Sequence, residues 1–412
     1  MPENKETVKK SKKEKWIKLR HRVVRNIAYA IIYPYSKIKY GIKVDKFKDQ
    51  GDRPYLILFN HQTPFDQFFV GAAFRGPVYY MATEDIFSMG FVSKLIKWLV
   101  APIPIKKQTT DVKAVITCIR VAKEGGTIAI APEGNRTYSG RTEYIDPAIV
   151  ALAKKLGMPI ALYRIEGGYG VEPRWSDVAR RGSIRGYVSR VIEPEEYADM
   201  TTDELYSVIS EGLYVNEANA DHEYKHKKLA EYLERAIYVC PECGLSTFES
   251  HDDVIECKKC GLRVRYTPTT ELKSDNESFK YRFVNDWYEY QKSYVNGLDT
   301  SLYTDEPIWR DTADISEVIV YERKQPLCKG AALALYGDRM VINEGGENEL
   351  VFPFADVTAV AVLGRNKLNV YYEKKVYQFK GDKRFNALKY VNMCYRHKNI
   401  CKGVENEQFL GL

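Results

Sequence analysis

No stretch of this sequence approaches the roughly 18 consecutive apolar residues that a membrane-spanning helix needs. The best candidate, Ile27 to Tyr35, is short, contains Pro34 and has charge on both sides. A secretory signal is not expected, because the basic N-terminal region is long and no small-residue cleavage site follows an apolar core. A disulfide framework is not expected either. Four of the eight cysteines fall in two tight pairs, a pattern that belongs to metal binding in a reducing compartment. Acidic residues are scarce at one end. Residues 1–48 hold 15 Lys/Arg and four acids, whereas the remainder holds 47 Lys/Arg against 51 acids. The net charge of +7 therefore belongs to the N-terminus and points to an anionic partner, a phospholipid surface or nucleic acid.

What is present is a globular composition, 45% hydrophobic over 412 residues, enough for two or three domains. Residues 1–15 are lysine-rich. From Trp16 to about Tyr40, apolar and aromatic residues mix with Lys18, Arg20, Arg22, Arg25, Lys37 and Lys39. The pattern predicts one or two amphipathic helices broken near Pro34, able to lie in a bilayer interface or to pack on a domain with a solvated basic face.

Residues 51–220 alternate strand and helix. Strands are expected near 54–59, 77–82, 103–105, 127–131, 159–165 and 184–192, with helices between them. Such alternation predicts an α/β domain with a mixed, largely parallel sheet, whose site lies beyond the carboxyl ends of the strands. Two strands run straight into polar clusters. After Tyr55–Phe59 comes Asn60-His61-Gln62-Thr63-Pro64-Phe65-Asp66. With Thr63 as N-cap and Pro64 at the first helical position, His61 and Asp66 can meet across the elbow, where the carboxylate would fix the imidazole tautomer. Thr63-x-x-Asp66 is also close to a capping box. After Thr127–Ala131 comes Pro132-Glu133-Gly134-Asn135-Arg136-Thr137.

Together the two clusters resemble the signature motifs of the glycerolipid (lysophospholipid) acyltransferase family: asparagine–histidine, four residues, aspartate; then proline–glutamate–glycine–x–arginine. The resemblance covers about residues 20–220. It departs at Ala131, where the family usually has an aromatic, and at Asn135, where it has threonine. In Ala101–Lys107, Lys107 stands at a family arginine, and in Pro159–Tyr163, Leu162 stands at a family proline. The resemblance implies that His61 is a general base oriented by Asp66. It implies that Glu133 positions the acceptor, that Gly134 lets backbone approach its phosphate, and that Arg136 and Lys107 hold that phosphate. The implied donor is acyl-CoA or acyl carrier protein, and the acceptor typically lysophosphatidic acid. No serine-centred elbow accompanies these motifs, so no acyl-enzyme is expected. The implied location is cytoplasmic and peripheral, on the inner face of an anionic membrane, in phospholipid synthesis. The alternatives are another lysolipid or amine acceptor, or a membrane-docked scaffold with a degenerate acyltransferase fold.

Beyond a helical connector at 221–239 come Cys240-x-x-Cys243-Gly and Cys257-x-x-Cys260-Gly, with thirteen residues between Cys243 and Cys257. Four thiolates at this spacing predict a structural Zn²⁺ ribbon over 240–266. A nucleic-acid role for it is not expected. Residues 267–307 read as a linker and an aromatic helix. Short alternating strands from 308 to 400, closed by a helix, are similar to a pleckstrin-homology-like or GRAM-like β domain. The segment before residue 51 reads as a separate basic membrane-association region. Cys118, in an apolar helical run, reads as core.

Overall fold

The computed structural model describes residues 15–83, 86–105, 111–319, 322–404 and 409–411. The N-terminal half contains α1 (Leu19–Tyr40), β1 (Ile42–Val44), β2 (Leu56–Phe59), α2 (Asp66–Ala73), β3 (Val78–Thr83), α3 (Phe91–Val100), β4 (Ile103–Ile105), α4 (Val112–Lys123) and β5 (Thr127–Ile130). It continues with α5 (Ala148–Leu156), β6 (Ile160–Glu166), α6 (Gly168–Val171), β7 (Ile184–Ile192), α7 (Pro194–Tyr197) and α8 (Thr202–Leu213). The seven strands form one sheet in the order β1-β7-β6-β2-β5-β3-β4. Every pairing is parallel except that of β6 with β7. The mixed, largely parallel α/β sheet expected from the alternation is therefore present.

Strands β2 and β5 are buried along their whole length and read as continuous apolar runs, because the sheet is covered on both faces. Leu56, Leu58, Ile128 and Ile130 feed one core with α4, α5 and α8. Their neighbours Ile57, Phe59 and Ala129 feed the other, with α2. Leu58 pairs with Ile130, so the two polar clusters leave the sheet side by side.

Strand β1 was not expected. It pairs with β7 and draws α1 into this domain. Helix α1 runs unbroken through Pro34. Pro34 and Ala30, whose carbonyl loses its donor, are both exposed, so water can serve that carbonyl. The helix is inverted relative to an ordinary surface helix. Two of its arginines reach inward, Arg25 donating to the carbonyls of Gly71 and Phe74 and Arg20 to that of Trp98, while Arg22, Lys37 and Lys39 are exposed. Its apolar residues Leu19, Val23, Ile27, Ile31, Tyr35 and Ile38 point outward, with Leu19 80% and Ile38 87% exposed. Among the described residues, no helix is long and apolar enough to cross a membrane.

The stretch expected as a helical connector holds the 3-10 turn Leu233–Arg235, where Glu234 and Arg235 are buried, and the first residue of a strand. The ribbon consists of β8 (Val239–Cys240), β9 (Gly244–Leu245), β10 (Phe248–His251), β11 (Val254–Cys257), β12 (Arg263–Tyr266) and β13 (Leu272–Lys273), the last inside the expected linker. After α9 (Val284–Asn296) come β14 (Trp309–Glu317), β15 (Gln325–Leu335), β16 (Arg339–Ile342), β17 (Leu350–Pro353), β18 (Ala359–Leu363), β19 (Lys367–Tyr372), β20 (Lys375–Gly381) and α10 (Leu388–Cys401). These strands form a β-rich antiparallel sheet ordered β17-β16-β15-β14-β20-β19-β18. Its central strand, β14, was not anticipated. One hydrophobic core runs from Tyr138, Tyr169 and Trp175 through the ribbon and α9 into this sheet.

Candidate active site

Asn60 directly follows β2 and is almost fully buried. Its side-chain amide donates to the Ile165 carbonyl and accepts from the Ile165 N–H, both at 2.8 Å. This clamp on β6 fixes where the next residue leaves the sheet. His61 Nδ1 then lies 2.7 Å from Asp66 Oδ2. Asp66 is fully buried, and its carboxylate also accepts from the N–H groups of Gln62 (2.7 Å) and Thr63 (3.0 Å) and from the Thr63 hydroxyl (2.6 Å). The carboxylate reaches back to the Thr63 N–H while it holds the imidazole, but the expected capping box is not formed, because the Thr63 hydroxyl accepts from the Phe65 N–H and Phe65 stands at the cap position. The helix itself starts two residues later than Pro64, with Asp66 its first residue and Phe65 its cap.

The second cluster is stitched to the first. Glu133 Oε1 accepts from the His61 N–H at 2.8 Å, and the Thr137 N–H donates to the His61 carbonyl at 3.1 Å. Glu133 Oε2 accepts from the Glu143 N–H at 3.2 Å. Burial pushes the Glu133 carboxyl up to about 8, against the pull of those two donors. Among the described residues no ion pair joins Glu133 to Arg136. Gly134 has φ +67°, and an added Cβ would meet no protein atom, so its backbone conformation is what calls for glycine there. Burial first, then the guanidiniums of Arg174 and Arg365, lower the pKa of Arg136 to about 10. It stays charged at neutral pH. Lys107 lies outside the described residues.

A second set of groups supports the elbow and was not legible beforehand. Gln62 Oε1 accepts from the Tyr169 N–H at 3.1 Å, and its amide donates to Glu217 at 3.2 Å. Glu217 also takes the Gly167 N–H at 2.6 Å, and burial raises its carboxyl to about 7. These partners are over 100 residues from Gln62 in sequence, and nothing local marks them.

The ribbon cysteines converge. All four sulfurs lie within 4.8 Å of one another, with Cys240–Cys260 and Cys243–Cys257 at 3.6 Å. Sulfurs about 2.3 Å from one tetrahedral Zn²⁺ would stand close to that spacing, so the donor set fits the ion. Cys240 is buried beside α9, where Trp287 Nε1 donates to the Val239 carbonyl at 2.9 Å. His251, between the knuckles, is exposed and bonds Glu249, outside the cluster. Lys258, Arg263 and Arg265 each face a carboxylate, from Glu249, Glu256 or Asp253. Cys118 is fully buried, its thiol pushed up to about 12, and belongs to the core.

Residues 41–164 match the family described as Acyltransferase. The chain carries an acyltransferase domain over these residues. Residues 233–271 match a second family, described as DNA directed RNA polymerase, 7 kDa subunit, a zinc ribbon. The chain is 24% identical over 205 residues to a chloroplastic 1-acyl-sn-glycerol-3-phosphate acyltransferase of Arabidopsis thaliana, covering 48% of this chain and 54% of that one. It is 23% identical to one of Brassica napus, covering 48% and 56%. The chain thus spans about half the length of the curated relatives it matches. A solved structure, the 1-acyl-sn-glycerophosphate acyltransferase PlsC of Thermotoga maritima, aligns at 19% identity and TM-score 0.38, over 47% of this chain and 75% of that one. Both signature clusters of the acyltransferase domain fall inside the matched residues, while the β-rich C-terminal sheet lies beyond them.

Proposed function

We propose that this protein transfers a fatty acyl group from a thioester donor, acyl-CoA or acyl carrier protein, to a hydroxyl of lysophosphatidic acid, giving phosphatidic acid. The observation that carries this reading is the His61–Asp66 pair, 2.7 Å apart at the carboxyl end of β2 and bonded to the Glu133 loop. Asp66 takes the Nδ1 side of the ring, which leaves Nε2 as the base. Nε2 removes the acceptor's hydroxyl proton as the oxygen forms a bond to the thioester carbonyl carbon. The tetrahedral intermediate then collapses, the carbon–sulfur bond breaks, and the proton passes from Nε2 to the departing thiolate. Asp66 stabilises the transient imidazolium. Arg136 offers a charged donor for the acceptor's phosphate, and Lys107 is proposed to add a second.

The work is proposed to occur on an anionic membrane, with the enzyme peripheral to its cytoplasmic face. The inverted α1 supports this: its outward stripe of Leu19, Ile27, Ile31 and Ile38 lies beside exposed Phe91 and Trp98 of α3. The ribbon is proposed to hold one structural Zn²⁺, because all four positions are protein sulfurs and none is left for substrate.

The test is acceptor-dependent phosphatidic acid formation from labelled acyl-CoA and acyl carrier protein by the full chain. Turnover with either donor is expected, and the better donor identifies the carrier. No turnover across lysophosphatidic acid and several other lysolipids would overturn the reading.

A further inference from the structure

His61 is held by its backbone as well as by its ring. Its N–H donates to Glu133 Oε1 at 2.8 Å, and its carbonyl accepts from the Thr137 N–H at 3.1 Å. Both contacts lead into one loop, residues 137–143. Thr137 opens the loop, and at its far end the Glu143 N–H donates to the second Glu133 oxygen at 3.2 Å. Within it, the Thr137 hydroxyl accepts from the N–H groups of Ser139 (3.2 Å) and Gly140 (3.0 Å), and the Ser139 hydroxyl donates to Glu143 Oε1 at 2.5 Å. A shift of this loop therefore moves the backbone that carries the base.

The loop is held in turn by α9, which packs in the core shared by the ribbon and the C-terminal sheet. Asn285, Glu289 and Lys292 are spaced i, i+4, i+7 and share one face of that helix. Lys292 Nζ lies 3.3 Å from Glu143 Oε2 and 3.2 Å from Glu289 Oε1. Arg141 pairs with the same Glu289. Asn285 donates to the Asn216 side chain at 3.3 Å, next to Glu217, whose N–H donates to the Gly140 carbonyl at 2.9 Å. A second face of α9 is fixed to the root of the ribbon. Gln291 Oε1 accepts from the N–H groups of Tyr238 (2.7 Å) and Val239 (3.1 Å), and its amide donates to the Ala236 carbonyl at 2.9 Å. The helix is thus a bracket between the ribbon and the loop behind His61.

Four charges meet where the bracket grips the loop, and the Glu143 and Lys292 side chains are only 12% and 21% exposed. Ion pairs so far out of water add little net stability, because desolvation offsets most of the attraction. An apolar contact would join the two halves as well. What the charges add is a defined position for the loop.

We propose that Lys292 is a positioning residue for acyl transfer, acting through Glu143 and Glu133 on His61, so that α9 completes the transferase site from the ribbon-bearing half of the chain. The proposal rests on the acyltransferase reading for the reaction that reports it. Lys292 holds the loop and not a substrate, so its loss should misplace the base without changing how acceptor or donor binds.

The experiment measures kcat and the KM of acceptor and donor in acyl transfer to lysophosphatidic acid. It compares the full chain with Lys292→Met, Lys292→Arg and Arg282→Met. Arg282 pairs with Glu271 rather than with the loop and serves as the control. Melting curves report folding. The expected result is a folded Lys292→Met with kcat lowered about ten-fold or more and both KM values unchanged, and a Lys292→Arg that keeps the charge and recovers kcat to within about three-fold. Arg282→Met should match the wild type. Unchanged kcat in folded Lys292→Met would overturn the proposal and leave the transferase reading intact. An equal fall of kcat in Lys292→Arg or Arg282→Met would also overturn it, since a general loss of structure would then explain the effect. A raised KM with kcat unchanged would do the same, by placing Lys292 in substrate binding. No turnover by the wild type on any lysolipid would overturn the transferase reading and the proposal with it. If Lys292→Met unfolds, Glu289→Gln, which loosens Arg141 and Lys292 together, is read by the same split between kcat and KM.

Discussion

His61 Nδ1 and Asp66 Oδ2 lie 2.7 Å apart, and the same carboxylate takes the backbone N–H groups of Gln62 and Thr63. One buried group therefore both shapes the elbow and sets the imidazole. Asp66→Asn should separate the two roles. The amide keeps one acceptor for the Thr63 side but turns a donor toward His61 Nδ1, favouring the wrong tautomer. A loss of about 10³–10⁴ in kcat is expected. The stability cost should be about 1–3 kcal/mol, from the buried donors left without an acceptor. Steady-state kinetics beside a melting curve measure both. Full turnover in Asp66→Asn would remove Asp66 from the mechanism.

The ribbon cysteines should hold about one zinc per chain, measured by elemental analysis of the purified protein. Cys257→Ser should lose the metal and lower the melting temperature, because β8 and β11 sit in the core shared with α9 and β14. Absence of zinc, with all four thiols open to alkylation in the folded protein, would contradict the metal assignment.

Glu217 supplies a pH dependence. Burial raises its folded pKa from the ordinary 4.5 to about 7. The folded chain then binds more protons than the unfolded one between those values, so this carboxyl's contribution is full below about pH 4.5 and is lost as pH rises through 7. Glu133, raised to about 8, acts in the same direction. Glu217→Gln keeps the acceptor for Gly167 and should flatten the fall in stability between pH 5 and 8 by on the order of 2 kcal/mol. Denaturant melts across that range provide the measurement. Equal slopes for variant and wild type would count against the buried, protonated carboxyl.

Substituting two outward residues of α1, Ile27→Glu with Ile31→Glu, should weaken binding to anionic vesicles more than ten-fold, since each isoleucine contributes roughly 1.5–3 kcal/mol on burial. The fold should tolerate the change, because both side chains already face solvent. Unchanged sedimentation with vesicles would place any membrane contact elsewhere.

The elbow and the ribbon were readable because each is local. His61 and Asp66 are five residues apart, and each pair of cysteines spans four. The acyltransferase strands were readable because a doubly covered sheet leaves uninterrupted apolar runs. Strand β14 escaped because only Trp309, Ala313 and Ile315 point inward, while Arg310, Thr312 and Asp314 between them are exposed. Residues 221–239 looked like a charged helical connector. Three of their charges are instead buried partners of distant groups, Glu231 and Glu234 of Arg384, and Arg235 of Asp177. Periodicity gave α1 two faces but could not say which one packs. That was decided by carbonyls at Gly71, Phe74 and Trp98, which the arginines reach.

The most direct measurement is acyl transfer to lysophosphatidic acid by the wild type and His61→Ala side by side, both shown to be folded by circular dichroism. Phosphatidic acid formed by the wild type and reduced at least a thousand-fold in the variant is the predicted result. Equal turnover in the two proteins would contradict it, and His61 would not be the base.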